Sequence, residues 1–132
     1  MNYIRASISK IDSVDNVNIV SFIAGSVSLK MMSLELDESL QNGSKLILGA
    51  KSTNISLMKG SAEGLSISNQ LPCNISSLEM GELLCRVRLD FEGTELESLI
   101  TKDSALRLNL QIKDEVLALI KSSELSIIEV LN

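Results

Sequence analysis

Histidine is absent from this chain, and its absence removes much chemistry at once. Triads that use imidazole, zinc sites built on histidine and imidazole acid–base work are all excluded. Aromatic residues are nearly missing too: Tyr3, Phe22 and Phe91 are the whole set. So few rings cannot stack nucleic-acid bases, and the core must be assembled from Ile, Leu, Val and Met. Cysteine is confined to Cys73 and Cys85, with no C-x-x-C pair. They read as small buried hydrophobes of a reducing compartment. Basic charge is in deficit. Twelve Lys and Arg stand against seventeen Asp and Glu, a net charge of −5, which argues against binding a phosphate backbone. No apolar run reaches the length of a membrane span. Residues 1–7 lack a basic stretch leading into an apolar one, so no secretion signal is expected. The expectation is a soluble, cytoplasmic protein with neither nucleic acid nor membrane as partner.

What is present is a repeat. Lys51-Ser52-Thr53-Asn54-Ile55-Ser56-Leu57 is echoed close to the end of the chain by Lys121-Ser122-Ser123-Glu124-Leu125-Ser126-Ile127. A period near half the length argues for two tandem copies of roughly 65 residues each, near the lower size limit for an independent core. Packing between copies or between chains is therefore expected. Earlier in the copies the offset is slightly shorter, pairing Ile8, Ile11 and Val17 with Ile75, Leu78 and Leu84.

Each copy reads as five short strands. A second strand runs over 16–22 and 83–91, and Ala24-Gly25 and Glu92-Gly93 turn into a third. Thr101 or Asp103 then caps a short helix, with Leu106 on its buried side. Residues 31–39 fit the same slot less cleanly; Met31-Met32 could line a soft ligand pocket there, with core filling the commoner role. Asn42-Gly43 and Lys113-Asp114 turn into a fourth strand over 45–50 and 115–120, and a fifth closes each module after the Lys-Ser phrase. The expected fold class is all-β: two tandem five-stranded OB-like barrels, each with a short helical turn after the third strand. The first module covers 1–60, a small polar linker 61–65, and the second module 66–132.

Acidic pairs such as Asp37-Glu38 and Asp114-Glu115 sit in polar, turn-like surroundings and read as solvated surface rather than catalytic carboxylates. No Gly-rich phosphate loop and no serine–base arrangement is visible, so an enzyme is not expected. The lysines and hydroxyls remain. A tetrahedral oxyanion carries only acceptor oxygens, so its site must offer hydroxyls, amides and a cation or two. Lys51 with Ser52 and Thr53, and Lys121 with Ser122 and Ser123, offer that set twice at a strand junction. The same residues also fit an ordinary solvated turn, and spacing alone does not separate the two readings.

The second half resembles the Mop or TOBE module, the molybdenum-binding domain of molbindins and molybdate-responsive regulators. Those modules carry Ser-Ala-Arg-Asn-Gln-Leu, later Ile-Thr-x-x-Ser, and finally Glu-Val-x-Ala-Leu-Ile-Lys-Ala-Ser. This chain has Ser66-Ile67-Ser68-Asn69-Gln70-Leu71, then Ile100-Thr101-Lys102-Asp103-Ser104, then Glu115-Val116-Leu117-Ala118-Leu119-Ile120-Lys121-Ser122-Ser123. The first half resembles the module more faintly, through Asn2 and Leu48-Gly49-Ala50-Lys51-Ser52-Thr53.

The resemblance implies a tandem molbindin, a cytoplasmic binder of molybdate or tungstate with no organic cofactor and no direct protein–metal ligand. It implies a homotrimer with sites at interfaces between modules, serving storage, buffering or delivery. An oxyanion-sensing regulatory or docking module is the alternative. Carried over by motif, Lys121 supplies charge and Ser122 and Ser123 supply hydroxyl and backbone donors. Ser104 and Ser66 stand in the motif's remaining hydroxyl positions, Ser68 joins the site from the motif's arginine position, and Lys51, Ser52 and Thr53 repeat the site in the first module. The family's arginine is replaced by Ser68 in the second module and Met1 in the first, which removes a charged, multi-donor contact.

Overall fold

Alternating burial marks the strands. Over Leu84–Phe91 every second side chain is buried, from Cys85 through Val87 and Leu89 to Phe91, as a strand with one wet face requires. The structure is a computed structural model, described over residues 1–131. In chain order it comprises β1 (Asn2–Val14), β2 (Val17–Ala24), β3 (Val27–Ser33), β4 (Lys45–Ala50) and β5 (Ser56–Met58). There follow β6 (Asn69–Met80), β7 (Leu84–Phe91), β8 (Thr94–Thr101), α1 (Lys102–Arg107), β9 (Glu115–Ile120) and β10 (Ser126–Val130). Two 3-10 turns, Ser52–Asn54 and Ser122–Glu124, precede β5 and β10.

The fold is all-β, in two five-stranded antiparallel sheets of order β10-β4-β1-β2-β3 and β5-β9-β6-β7-β8. The fifth strands trade places. β5 pairs with β9 and β10 pairs with β4, so neither sheet is built from one half of the chain. The expectation that each fifth strand closes its own module is corrected here. Backbone geometry is the reason. Lys51 and Ile55 hold extended dihedrals, φ −71°, ψ 145° and φ −102°, ψ 117°, so the chain does not make the positive-φ reversal of a tight hairpin. It crosses to the other half, where Ile55 is buried and its carbonyl accepts the Ser98 hydroxyl at 2.6 Å.

Long first strands serve two neighbours each. β1 pairs with β4 through Asn2–Ser7 and with β2 beyond, shifting register between Ile8 and Lys10. β6 shifts between Ile75 and Ser77, at the equivalent place. Such bulges bend a strand and raise its twist, which lets one strand pass between two pairing directions. Phe22, Leu29, Leu46, Leu48, Leu71 and Leu89 are among the fully buried side chains of a core that runs through both halves. Cys73 and Cys85 are buried and free. Burial pushes the Cys73 thiol up to about 12 and raises Cys85 as well.

Thr101 caps α1, its hydroxyl accepting the Ser104 N–H at 3.1 Å. The residue the helix buries is Ala105, while Leu106 is 60% exposed. A six-residue helix offers the sheet little more than one position, and the cap at Thr101 assigns it to Ala105. Residues 34–41 form no helix. There the Asp37 carboxylate accepts the Ser39 N–H at 2.8 Å, the Leu40 N–H bonds the Asp37 carbonyl at 3.1 Å, and the chain makes a single turn. The Ser39 amide holds the Asp37 carboxyl below the usual carboxylate range.

Candidate functional site

Two buried asparagines hold the halves against each other. Asn69 opens β6 and is fully buried; its carbonyl oxygen accepts the Lys30 N–H at 2.6 Å and its amide donates to the Lys30 carbonyl at 2.9 Å. Lys30 lies on β3, an outer strand whose free edge needs a partner. Asn2, the counterpart of Asn69 at the head of β1, repeats the clasp on the outer strand β8. It accepts from the Glu97 N–H at 2.6 Å and donates to the Glu97 carbonyl at 2.9 Å. The side-chain amide thus stands in for one residue of a neighbouring strand. Each clasp seats a 3-10 turn beside an outer strand of the other half, Ser122–Glu124 against β3 and Ser52–Asn54 against β8.

Beside the Asn69 clasp lies a pocket of about 220 Å³, lined by Ser66, Ile67, Ser68, Lys121, Ser122, Ser123 and, from β3, Met32. It is smaller than the ~300–1,000 Å³ typical of organic-ligand pockets. Five of the second-module residues singled out in the sequence therefore line one space. Among the described residues, the side chains of Ser66, Ser68, Lys121, Ser122 and Ser123 have no hydrogen-bond or ion-pair partner in the chain. No carboxylate lines the pocket. The leading amides of the turn, Ser122 and Ser123, precede its first internal bond, from the Glu124 N–H to the Lys121 carbonyl at 2.9 Å. The arrangement is a set of donors with one cation and no internal acceptor side chain, which suits a small anion.

Ser104 stands apart. Its hydroxyl lies 3.0 Å from both Thr101 Oγ1 and Arg107 Nη2 within α1, and it does not line this pocket. The first-module set is differently committed. Ser52 donates its hydroxyl to Glu97 Oε2 at 3.0 Å, and Glu97 Oε1 takes Arg86 Nε at 3.0 Å. Arg86 is shared with Glu79 at 3.2 Å. Lys51 and Thr53 are exposed beside this pair. The adjoining space, about 240 Å³, is lined by Met1, Asn2, Arg88, Glu95, Leu96 and Glu97.

Residues 65–127 match the TOBE domain family. Across the whole chain, a solved structure of the cytoplasmic molybdate-binding protein ModG, with molybdate bound, superposes with a TM-score of 0.89. That likeness covers 96% of this chain and 94% of ModG at 26% identity. The chain carries a TOBE domain. Molybdenum import ATP-binding protein ModC of Brucella abortus (strain 2308) and of Brucella suis biovar 1 (strain 1330) are each 32% identical over 87 residues, 65% of this chain. The chain spans about a quarter (24%) of these curated relatives. All six second-half residues lining the pocket fall inside the TOBE span, whereas Met32 and the Lys51 set lie outside it. Met32, for which core filling is the commoner expectation and a pocket lining the alternative, is 47% exposed and forms a wall of the pocket. No spacing rule reveals it, because it reaches the pocket only through the Asn69 clasp. Among the described residues no helix is long and apolar enough to cross a membrane.

Proposed function

We propose that this protein is a molbindin that binds molybdate or tungstate reversibly in the Lys121 pocket, without catalysis, as a cytoplasmic store, buffer or delivery protein. The observation that carries the reading is the free donor set: four hydroxyls and one ammonium converge with no carboxylate among them. A tetrahedral dianion offers only acceptors and matches that set. The molybdate seen in ModG, a structural neighbour over nearly the full chain, supports the same ligand class. The chain's net charge of −5 opposes anion approach, so the local cation must supply the attraction. Selection among dianions then rests on size and shape, because sulfate presents the same acceptor pattern on a smaller tetrahedron.

Titration calorimetry with molybdate, tungstate and sulfate tests this. Saturable heat is expected with molybdate or tungstate at micromolar protein, and silence with both would sink the proposal. Lys121→Ala removes one charge-assisted hydrogen bond, about 1.5–3 kcal/mol, so affinity falls about 10- to 100-fold. Its thermal midpoint stays near wild type, because the side chain is exposed and unpaired.

The same proposal makes the protein a homotrimer in which neighbouring chains complete the pockets. Light scattering should give about three times the 14.3 kDa chain mass, and a monomer at micromolar concentration would contradict it. A second reading rests on the ModC matches, where the similar stretch is a quarter of a longer import protein. There the module serves as a sensing or docking unit for a protein partner. Affinity capture with and without molybdate separates the two, storage requiring no stable partner.

A further inference from the structure

The two halves carry their clasped residues at equivalent positions, and those residues differ in charge. The offset from Asn2 to Asn69 is the same as the offset from Lys30 to Glu97, the residues that Asn69 and Asn2 clasp. The pairing partners agree: Lys30 faces Ser21 across β2–β3, and Glu97 faces Arg88 across β7–β8, at that same offset. Where the Lys121 pocket has Lys30 on the neighbouring outer strand, the Lys51 set therefore has a carboxylate. Lys30 is exposed and has no ion-pair partner among the described residues. Glu97 is half-buried and fully engaged, one oxygen on the Ser52 hydroxyl and the other on Arg86.

We propose that Glu97 is a specificity-determining residue that closes the first of two equivalent sites to dianions, leaving the Lys121 pocket as the one that fills. This rests on the oxyanion reading above. The carboxylate acts in two ways. It consumes the Ser52 hydroxyl, which in the second site has its counterpart in the uncommitted Ser122. It also places a negative charge where an arriving dianion would have to sit, and like charges in close contact repel strongly. Arg86 does not cancel the effect, because it is already shared between Glu97 and Glu79. Glu97 is thus an internal anion occupying the donors of a site that would otherwise repeat the other.

The test exchanges the charge in both directions and counts bound molybdate by equilibrium dialysis with elemental analysis. Glu97→Gln keeps the size, removes the charge and leaves only a weaker neutral acceptor on the Ser52 hydroxyl; the count per chain should rise by one. Lys30→Glu puts a carboxylate at the equivalent place beside the Lys121 pocket, on an exposed position that does not threaten folding. Binding there should weaken by more than about tenfold with the melting curve retained. Molybdate bound by wild type, with no gain in Glu97→Gln and no loss in Lys30→Glu, overturns this inference alone. A wild-type chain that binds no molybdate overturns the oxyanion reading as well.

Discussion

Asn69 commits its whole side chain to one residue of the other half, meeting both backbone groups of Lys30 from a fully buried position. Removing it leaves a part-buried N–H and C=O of β3 unpaired, and each such group costs about 1–3 kcal/mol where water cannot reach it. Asn69→Ala should therefore lower unfolding free energy by about 2–4 kcal/mol in urea titrations, and Asn2→Ala by a similar amount through Glu97. A loss smaller than that of a single ordinary hydrogen bond would mean that water replaces the amide at no cost. Both asparagines are visible in the sequence as members of the opening motif, yet their partners are not, because the clasp joins positions related only through the folded pair. The lysine and serine set is legible for the same reason as the motif: donors of one kind recur at one spacing. Ser104 shows the limit of that reasoning. It keeps its place in the motif, but its amide and hydroxyl serve the cap of α1.

Strand pairing between the halves depends on short elements. β10 is five residues long, and it covers an edge of β4 that would otherwise expose Leu46 and Leu48 near the core. A chain ending at Leu125 keeps the buried anchor and loses only the strand. It should melt about 10 °C lower, from several lost ladder bonds and the half-buried Ile127, and it should associate with rising concentration through the bared edge. A midpoint and elution profile equal to the full chain would show that β10 contributes nothing. Local pattern makes β4 and β9 readable to the residue, since continuous apolar runs bounded by turn residues admit few alternatives. It says nothing of which edge the fifth strands choose. That choice is made by extended dihedrals at Lys51, Ile55, Lys121 and Leu125, and by what lies beyond them. Leu106 departs from its expected burial on similar grounds, its side chain pointing outward once Ala105 takes the contact.

Contacts between equivalent residues trace an approximate twofold axis through the chain. Asn54 Nδ2 donates to Glu124 Oε2 at 2.9 Å, between the matching positions of the two Lys-Ser phrases. At the other pole the Ser26 N–H meets the Glu92 carboxylate at 3.2 Å, from the turn equivalent to Glu92's own. Gly25 there has φ +57°, and a Cβ would stand 2.9 Å from that carboxylate, so a side chain would be strained and would push the Glu92 carboxylate aside. An axis of this kind makes two equivalent pockets by construction, and side-chain identity alone sets them apart. The repeated Lys-Ser phrase announces the duplication, while the loss of equivalence emerges only once Glu97 is seen against Ser52. The measurement that bears most directly on the whole account is anomalous diffraction at the molybdenum edge from crystals grown with molybdate. One strong peak among Ser66, Ser68, Lys121, Ser122 and Ser123 is predicted, with none between Ser52 and Glu97. Ordered molybdenum only elsewhere, or no peak at saturating molybdate, would contradict it.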